Sequence, residues 1–84
     1  MEKMPVGKIT HYFPKVSVGV IELTDTLRVG DRISIESKEG SFEQGVDSMQ
    51  VEHAQIQEAK AGQAIGLKVA QPVHAGNAVY KLVE

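Results

Sequence analysis

The 84-residue sequence contains no cysteine and no tryptophan. The missing cysteines exclude disulfide bonds, thiolate metal sites and a cysteine nucleophile. Aromatic residues are also few, with two Phe and two Tyr, so we expect a core built mainly from aliphatic side chains. A chain of this length is enough for one domain and no more.

Long apolar runs and an excess of positive charge are absent as well. Stretches such as Val18-Gly19-Val20-Ile21 are only a few residues long, far below the roughly 20 residues needed to cross a bilayer. The N-terminus also lacks the apolar run of a signal peptide. We therefore expect no membrane partner and, for a small domain without disulfides, a cytoplasmic location. The net charge of −2 argues against a protein that binds nucleic acid through bulk charge.

The sequence is instead rich in short β-type runs separated by turn residues, a pattern typical of strands. The predicted strands are Val6–Phe13, Val16–Leu23, Arg32–Glu36, Phe42–His53, Ile65–Val69 and Ala78–Val83. Changes in the phase of the apolar residues predict a bulge between Gly19 and Glu22 and a bulge or bend close to Asp47-Ser48. Residues 52–61 favour a short extended segment over a helical turn. Residues 1–5 are predicted to be a tail, and residues 6–84 a single all-β domain, a small closed antiparallel β-barrel of six to seven strands.

One turn pattern occurs three times, in the order basic, small apolar, Gly, polar, any residue, apolar. Its copies begin at Arg28, Lys60 and His74, and their glycines are Gly30, Gly62 and Gly76. Glycine accepts a positive φ without steric cost, and the polar residue after it is able to bond the turn backbone. The pattern predicts one kind of tight turn, used at three strand entries.

These motifs, in this order, resemble the β-barrel second domain of translational GTPases, of which elongation factor Tu is the type case. The residues that carry the resemblance are Gly7-Lys8-Ile9, Leu27-Arg28-Val29-Gly30-Asp31, Val46 to Val51, Ala59-Lys60-Ala61-Gly62, Gly66-Leu67 and His74-Ala75-Gly76. It covers the chain from about Val6 to Val83 and implies a barrel of the elongation factor Tu domain 2 type.

The resemblance also implies a function in translation or RNA modification, because the family's barrel helps to hold aminoacyl-tRNA and similar barrels occur beside peptidase-like enzymes linked to RNA modification. The chain has no Gly-x-x-x-x-Gly-Lys-[Ser/Thr] loop, so we expect it to bind no nucleotide and no other cofactor. The expected function is a non-catalytic accessory binding module that contacts tRNA or another RNA, or docks on a translation or RNA-modification protein. The alternatives are a structural or oligomerising domain without a nucleic-acid role and, less favoured, a small enzyme.

The candidate binding residues lie around an aromatic pair in the first predicted strand. If Ile9, His11 and Phe13 face inward, then Lys8, Thr10 and Tyr12 face outward. An exposed Tyr12 between Lys8 and Lys15 would stack on a base while the lysines contact phosphate. Gln50 and His53 on the long fourth strand would extend this surface. The competing interpretation is that Tyr12 covers the mouth of the barrel.

Catalytic and metal chemistry find little support in the sequence. The three histidines, His11, His53 and His74, match no metal-ligand spacing, although neighbouring strands would be able to bring His11 and His53 together. The chain contains serine, histidine and aspartate but no nucleophile-elbow sequence. We therefore predict no metal and no catalytic residue.

Overall fold

The computed structural model describes residues 2–38, 40–51 and 54–83, and within them the chain is all β with no helix. The ten strands are β1 (Glu2–Phe13), β2 (Val18–Leu23), β3 (Leu27–Arg28), β4 (Arg32–Ser37), β5 (Gly40–Gly45), β6 (Met49–Val51), β7 (Ala54–Ile56), β8 (Glu58–Ala59), β9 (Ala64–Lys68) and β10 (Ala78–Val83). Eight of them form one sheet in the order β5-β4-β10-β1-β2-β9-β6-β7, and β3 pairs with β8 in a second, two-stranded sheet. The all-β prediction is confirmed.

The long strand β1 organises the sheet, because it pairs with β10 on one side and with β2 on the other, both antiparallel. Its register shifts between Pro5 and Gly7 against β10, and between Ile9 and His11 against β2. Each shift inserts one extra residue and changes which side chains face the core. Residues 2–5, which the sequence suggested as a tail, form the first part of β1 and pair with the end of β10.

The core is aliphatic, as expected from the scarcity of aromatic residues. Its buried apolar side chains come from nearly every strand: Val6, Ile9, Ile21, Leu23, Leu27, Ile33, Ile35, Val46, Met49, Ala59, Ile65, Leu67, Val69, Val73 and Val79. Tyr12 and Phe42 pack against this cluster from its edge. Burial of this set is the main stabilising contribution to a domain of this size.

The three glycine turns form at Gly30, Gly62 and Gly76, with φ values of 99°, 91° and 96°. Positive φ at the third turn residue is what a type II turn requires. In each turn the fourth residue donates its backbone N–H to the carbonyl of the first at 3.1 Å. Asp31 and Gln63 also bond the turn through their side chains, to the N–H groups of Arg28 and Lys60.

Each glycine turn also holds one buried residue of a neighbouring strand or loop. The glycine N–H donates to that residue's carbonyl, and that residue's own N–H donates to the carbonyl after the glycine. The residues held in this way are Val46, Leu23 and Ile9, by the turns at Gly30, Gly62 and Gly76 respectively. The repeated turn thus anchors three core positions and satisfies backbone groups that would otherwise be buried without partners.

The sheet is open, which corrects the prediction of a closed barrel of six to seven strands. Its edge strands β5 and β7 do not pair with each other in the described part of the chain. The loop after β3 lies between them: Val29 donates to the carbonyl of Gln57, next to β7, while Gly30 donates to Val46, next to β5. The side chain of Gln44 in β5 also bonds the backbone at the end of β9. Hydrogen bonds from the loop after β3 and from the Gln44 side chain therefore replace the strand pairing that a closed barrel would need.

The predicted bulge between Gly19 and Glu22 is wrong in its position. The pairing of β2 with β9 is regular from Val18 to Glu22, and the irregularities lie in β1. Gly19, Ile21 and Leu23 are buried, whereas Val18 and Val20 are half-buried on the other side of the sheet. The predicted strand Phe42–His53 is wrong as one strand, because the chain leaves the sheet near the predicted bulge or bend at Asp47-Ser48: β5 ends at Gly45, and β6, which has different neighbours, begins at Met49.

Candidate docking surface

Exposed apolar side chains are concentrated at the turn between β1 and β2. Among the described residues, the large hydrophobic side chains that are exposed are Met4, Phe13 and Val16, with exposed fractions of 41%, 47% and 58%. Phe13 and Val16 flank this turn, where Val16 donates its N–H to the carbonyl of Phe13 at 3.3 Å. The turn is fixed to the end of β9, because Val69 donates its N–H to Ser17 at 2.8 Å. The apolar tip is thus held by the body of the domain.

The extra residue Thr10 explains why Phe13 lies outside. After the register shift, His11 pairs with Val20 and Tyr12 pairs with Gly19. Since Gly19 is buried and has no side chain, Tyr12 is able to pack against the core on that side. His11 and Phe13 then fall on the outer side, where their ring centroids lie 4.5 Å apart at a tilt of 55°.

Val18 and Val20 of β2 continue the outer surface next to these rings, because they pair with Phe13 and His11. We call the set His11, Phe13, Val16, Val18 and Val20 the β1–β2 apolar face. Beyond it lie Gly66 of β9, opposite Val20, and Gln50 of β6, opposite Gly66. A β-carbon at Gly66 would lie 3.4 Å from Val18 Cγ1, in ordinary contact, so there is room for a side chain that this position lacks.

Exposed cations surround the β1–β2 apolar face. Lys8 lies on β1 opposite Glu22, Lys15 lies in the turn, and Lys68 lies opposite Val18. The ion pairs found among the described residues use other cations, namely Lys3, Arg28, Arg32 and Lys81. The rim therefore carries three lysines and one glutamate.

The outer surface on the other side of β1 differs in character, because it is covered by ion pairs. Lys3 bonds Glu36 at 2.5 Å, and Arg32 lies 3.6 Å from Glu43. The hydrogen bond that Lys3 donates to the Glu36 carboxylate raises the pKa of Lys3 above its usual value. Exposed ion pairs of this kind are well solvated and form a weak basis for a protein interface.

The predicted binding residues are distributed over both sides of the sheet. Lys8, Lys15 and Gln50 are exposed, and Thr10 is half-buried, with its hydroxyl 3.4 Å from the carbonyl of Val20. His53 lies outside the described residues. The predicted facing of β1 beyond Ile9 is wrong, because Thr10 shifts the register: Tyr12 packs on the core, and His11 and Phe13 are exposed. The structure thus separates Tyr12 from the lysines that were expected to act with it.

A cleft lies elsewhere, between the end of β4 and the turn at Gly76. It has a volume of about 660 Å³ and is lined by Glu36, Ser37, Lys38, His74, Ala75, Gly76, Asn77 and Ala78. Serine and histidine in one cleft are the residue types of a hydrolytic site, but such a serine must be activated by its base. Ser37 instead donates its hydroxyl to the carbonyl of Gly40 at 3.1 Å, and Glu36 is engaged by Lys3.

Metal-binding residues do not converge in the described part of the chain. Within residues 2–38, 40–51 and 54–83, no group of three or more His, Asp or Glu side chains is close enough to hold an ion. His11 is in a tilted ring contact with Phe13, and His74 lines the cleft at the far end of β4. In the same ranges, no helix is long and apolar enough to cross a membrane.

The known proteins that this chain resembles in sequence or in fold carry peptidase names. No known protein-family profile matches it. It is 40% identical over 83 residues, or 98% of its length, to an uncharacterized protease of Methanocaldococcus jannaschii. The chain spans about 20% of the length of that relative.

Two crystal structures share the fold. Both are of the C-terminal domain of a Geobacillus thermoleovorans protein assigned as a U32 peptidase, one of them as a selenomethionine variant. The unsubstituted structure has a TM-score of 0.89, and the match covers 95% of this chain and 93% of the other. The selenomethionine variant has a TM-score of 0.85, and the match covers 89% of this chain and 95% of the other. The sequence identity is 20% in both. The fold is that of a U32 peptidase C-terminal domain.

These findings overturn the resemblance to elongation factor Tu domain 2, and with it the expected role as a translation-factor-like accessory module. The glycine turns that carried the resemblance are present, but they serve to anchor core residues in an open sheet. Such turns arise wherever tight strand entries are needed, so they report local geometry and not ancestry. The sequence contained one signal for the surface found here, the apolar sequence around Phe13 and Val16, but the bulge at Thr10 hid its direction.

Proposed function

We propose that this chain is a non-catalytic accessory domain of a U32-type peptidase, which supports the part of the protein that carries the active site. The observation that carries the proposal is the 40% identity along 98% of the chain to one fifth of a protease. A segment of that size, with its own core, is typical of a domain added to a larger catalytic unit.

The chemistry of the described residues supports an accessory role. The cleft that holds Ser37 and His74 places the serine hydroxyl on a backbone carbonyl. The exposed features that remain are apolar and aromatic side chains with a cationic rim, which suit contact with another surface better than bond cleavage. The two crystal structures, which are each 20% identical to this chain, support the fold. The activity is the subject of the following experiment.

The test compares the M. jannaschii relative in three forms: intact, without the 83 matching residues, and with those residues replaced by this chain. We expect peptide hydrolysis to fall on deletion and to return when this chain is inserted, while the chain alone hydrolyses nothing. Intact and chain-replaced forms should have similar circular dichroism, which serves as the folding control.

Two results would refute the accessory role. One is hydrolysis by the isolated chain that disappears in Ser37→Ala or His74→Ala, which would make the cleft an active site. The other is a deletion form with full activity and unchanged thermal stability, which would leave the domain without any effect on its host.

A further inference from the structure

We infer that the β1–β2 apolar face is the surface through which this domain seats against the remainder of its peptidase, and that the opposing surface is apolar with carboxylates around it. This inference rests on the proposed function and adds to it the interface and the chemistry of the partner.

The first argument is that the fold turns Phe13 outward through a local irregularity. Without the extra residue Thr10, the alternation of β1 would place Phe13 on the side of Ile9, which is buried. The bulge sends Tyr12 to the core and leaves Phe13 47% exposed, in a tilted ring contact with His11. Bulges commonly re-aim side chains where a sheet meets a ligand or another surface, and an exposed aromatic gains most when a partner buries it.

The second argument concerns shape. Gly66 lies in the middle of β9 without a positive φ, so the backbone there does not require glycine. Its lack of a side chain leaves the backbone of β9 uncovered at this position, next to Val18 and opposite Val20. Glycine within a strand often marks a place where another chain approaches closely.

The third argument is charge. Lys8, Lys15 and Lys68 stand around the face, with Glu22 as the anion among them. A partner with carboxylates at matching positions would be attracted and oriented by this rim. A second copy of the chain is disfavoured, because a symmetric contact through the same face would bring the lysines of the two copies together.

The length of the relative indicates which partner covers the β1–β2 apolar face. The chain corresponds to 20% of that protease, so a host of this kind keeps four fifths of its mass tethered beside the domain. Tethering gives a high effective concentration, which adds to the affinity that the face itself provides. The ion-paired surface of Lys3, Glu36, Arg32 and Glu43 offers no comparable apolar contact.

The test adds the full 84-residue chain to the M. jannaschii protease that lacks its matching 83 residues, and measures binding by calorimetry. Phe13→Ser and Val16→Ser should each weaken binding, Phe13→Ser by at least about tenfold because interface aromatics tend to dominate affinity. The matched control is Met4→Ser, which removes an equally exposed apolar side chain away from the face and should bind like wild type.

A footprinting measurement covers the case in which the shortened protease fails to fold. Hydroxyl radicals oxidise accessible aromatic rings, so Phe13 and His11 should lose reactivity when this chain replaces the matching residues of the full relative. Tyr80 should keep its reactivity, because it is half-buried in β10 beside the ion-paired surface, where it pairs with Ser34 and acts on Lys3. Protection of Tyr80 but not of Phe13 would move the interface and refute this inference while leaving the accessory role intact.

Other occupants give distinct results that overturn the inference. Protection of Phe13 by added tRNA on the isolated chain would assign the face to RNA. Concentration-dependent dimers that Phe13→Ser abolishes would assign it to a second copy. If the shortened protease does not bind and the inserted chain shows no change in Phe13 reactivity and restores no activity, both the inference and the proposed function fail.

Discussion

Gln44 joins the edge strand β5 to the end of β9 through a two-point contact with the backbone around Ala70. Its side-chain oxygen accepts the N–H of Ala70 at 2.8 Å, and its side-chain nitrogen donates to the carbonyl of Lys68 at 2.9 Å. The side-chain amide thereby accepts one backbone hydrogen bond and donates another, as the backbone of a neighbouring strand would do, at a place where the sheet is open.

Replacement of Gln44 should show what this contact contributes. We expect Gln44→Ala to lower the free energy of unfolding by about 1–2 kcal/mol, because each exposed hydrogen bond contributes on the order of 1 kcal/mol. Gln44→Glu should not recover it, since a carboxylate has no donor for Lys68. Urea denaturation measures both, with Gln55→Ala at an exposed position of β7 as the control; equal midpoints for Gln44→Ala and Gln55→Ala would contradict the assigned role.

Two glycines should respond to alanine for different reasons. At Gly62 no atom lies within 4 Å of an added β-carbon, but φ is 91°, so Gly62→Ala should cost about 1–2 kcal/mol of backbone strain. At Gly7 the β-carbon would lie 2.5 Å from the carbonyl oxygen of Glu22 and 2.9 Å from Ile21. Backbone cannot move aside easily, so Gly7→Ala should cost more than Gly62→Ala.

Thermal unfolding of these variants gives the comparison, with Gly45→Ala as the control. Gly45 has no positive φ, and its nearest neighbour would be 4.0 Å away, so this change should be neutral or slightly stabilising. A Gly62→Ala variant as stable as Gly45→Ala would mean that the turn relaxes without strain.

Ser34 is predicted to be a site where removal of a polar group does no harm. It is 1% exposed, and its hydroxyl has no hydrogen-bond partner among the residues that the structure describes. Since a buried unpaired hydroxyl carries a desolvation cost, Ser34→Ala should leave stability unchanged or raise it by up to about 1 kcal/mol. Chemical denaturation checks this against Ser41→Ala, an exposed position on the same side of the sheet, and a loss above about 1 kcal/mol would reveal a hidden partner.

The alternation of apolar residues predicted most strands but not how the sheet ends. Ile33 and Ile35 in β4 face the core as their spacing indicated, and β10 runs from Ala78 to Val83 as predicted. Gln44 is a polar residue on the inward side, between Phe42 and Val46, and its hydrogen bonds to the end of β9 were not predicted. Its backbone partners lie 24 and 26 residues away, a separation that local pattern does not encode.

The surface was harder to predict than the core, since one inserted residue decides it. A shift of one position in a strand moves every later side chain to the opposite face. Thr10 makes that shift in β1, and nothing in its own side chain marks it as the extra residue. The sequence therefore indicated an aromatic pair with one ring inside, and the structure was needed to show that Phe13 is the exposed one.

The ion pair of Lys3 with Glu36 predicts a specific dependence on alkaline pH. Glu36, through its hydrogen bond, raises the pKa of Lys3 in the folded state. A raised folded pKa stabilises the protein fully below the usual lysine pKa of about 10.4, and that contribution is lost as pH rises through the raised value. Glu36→Gln should lower the pKa of Lys3 toward its usual value, as measured by an NMR titration of its side chain.

The matched control for this titration is Glu58→Gln, which breaks the distant pair with Arg28 and should leave the Lys3 titration where it is in the wild type. Because both groups of the Lys3 pair are partly solvated, the effect on stability should be small and should shrink further in high salt. If Glu36→Gln leaves the pKa of Lys3 raised, the source must lie with Glu43 or Tyr80, which also face it. The raised pKa of Lys3 would then result from the several charges of the ion-paired surface and not from the one hydrogen bond to Glu36.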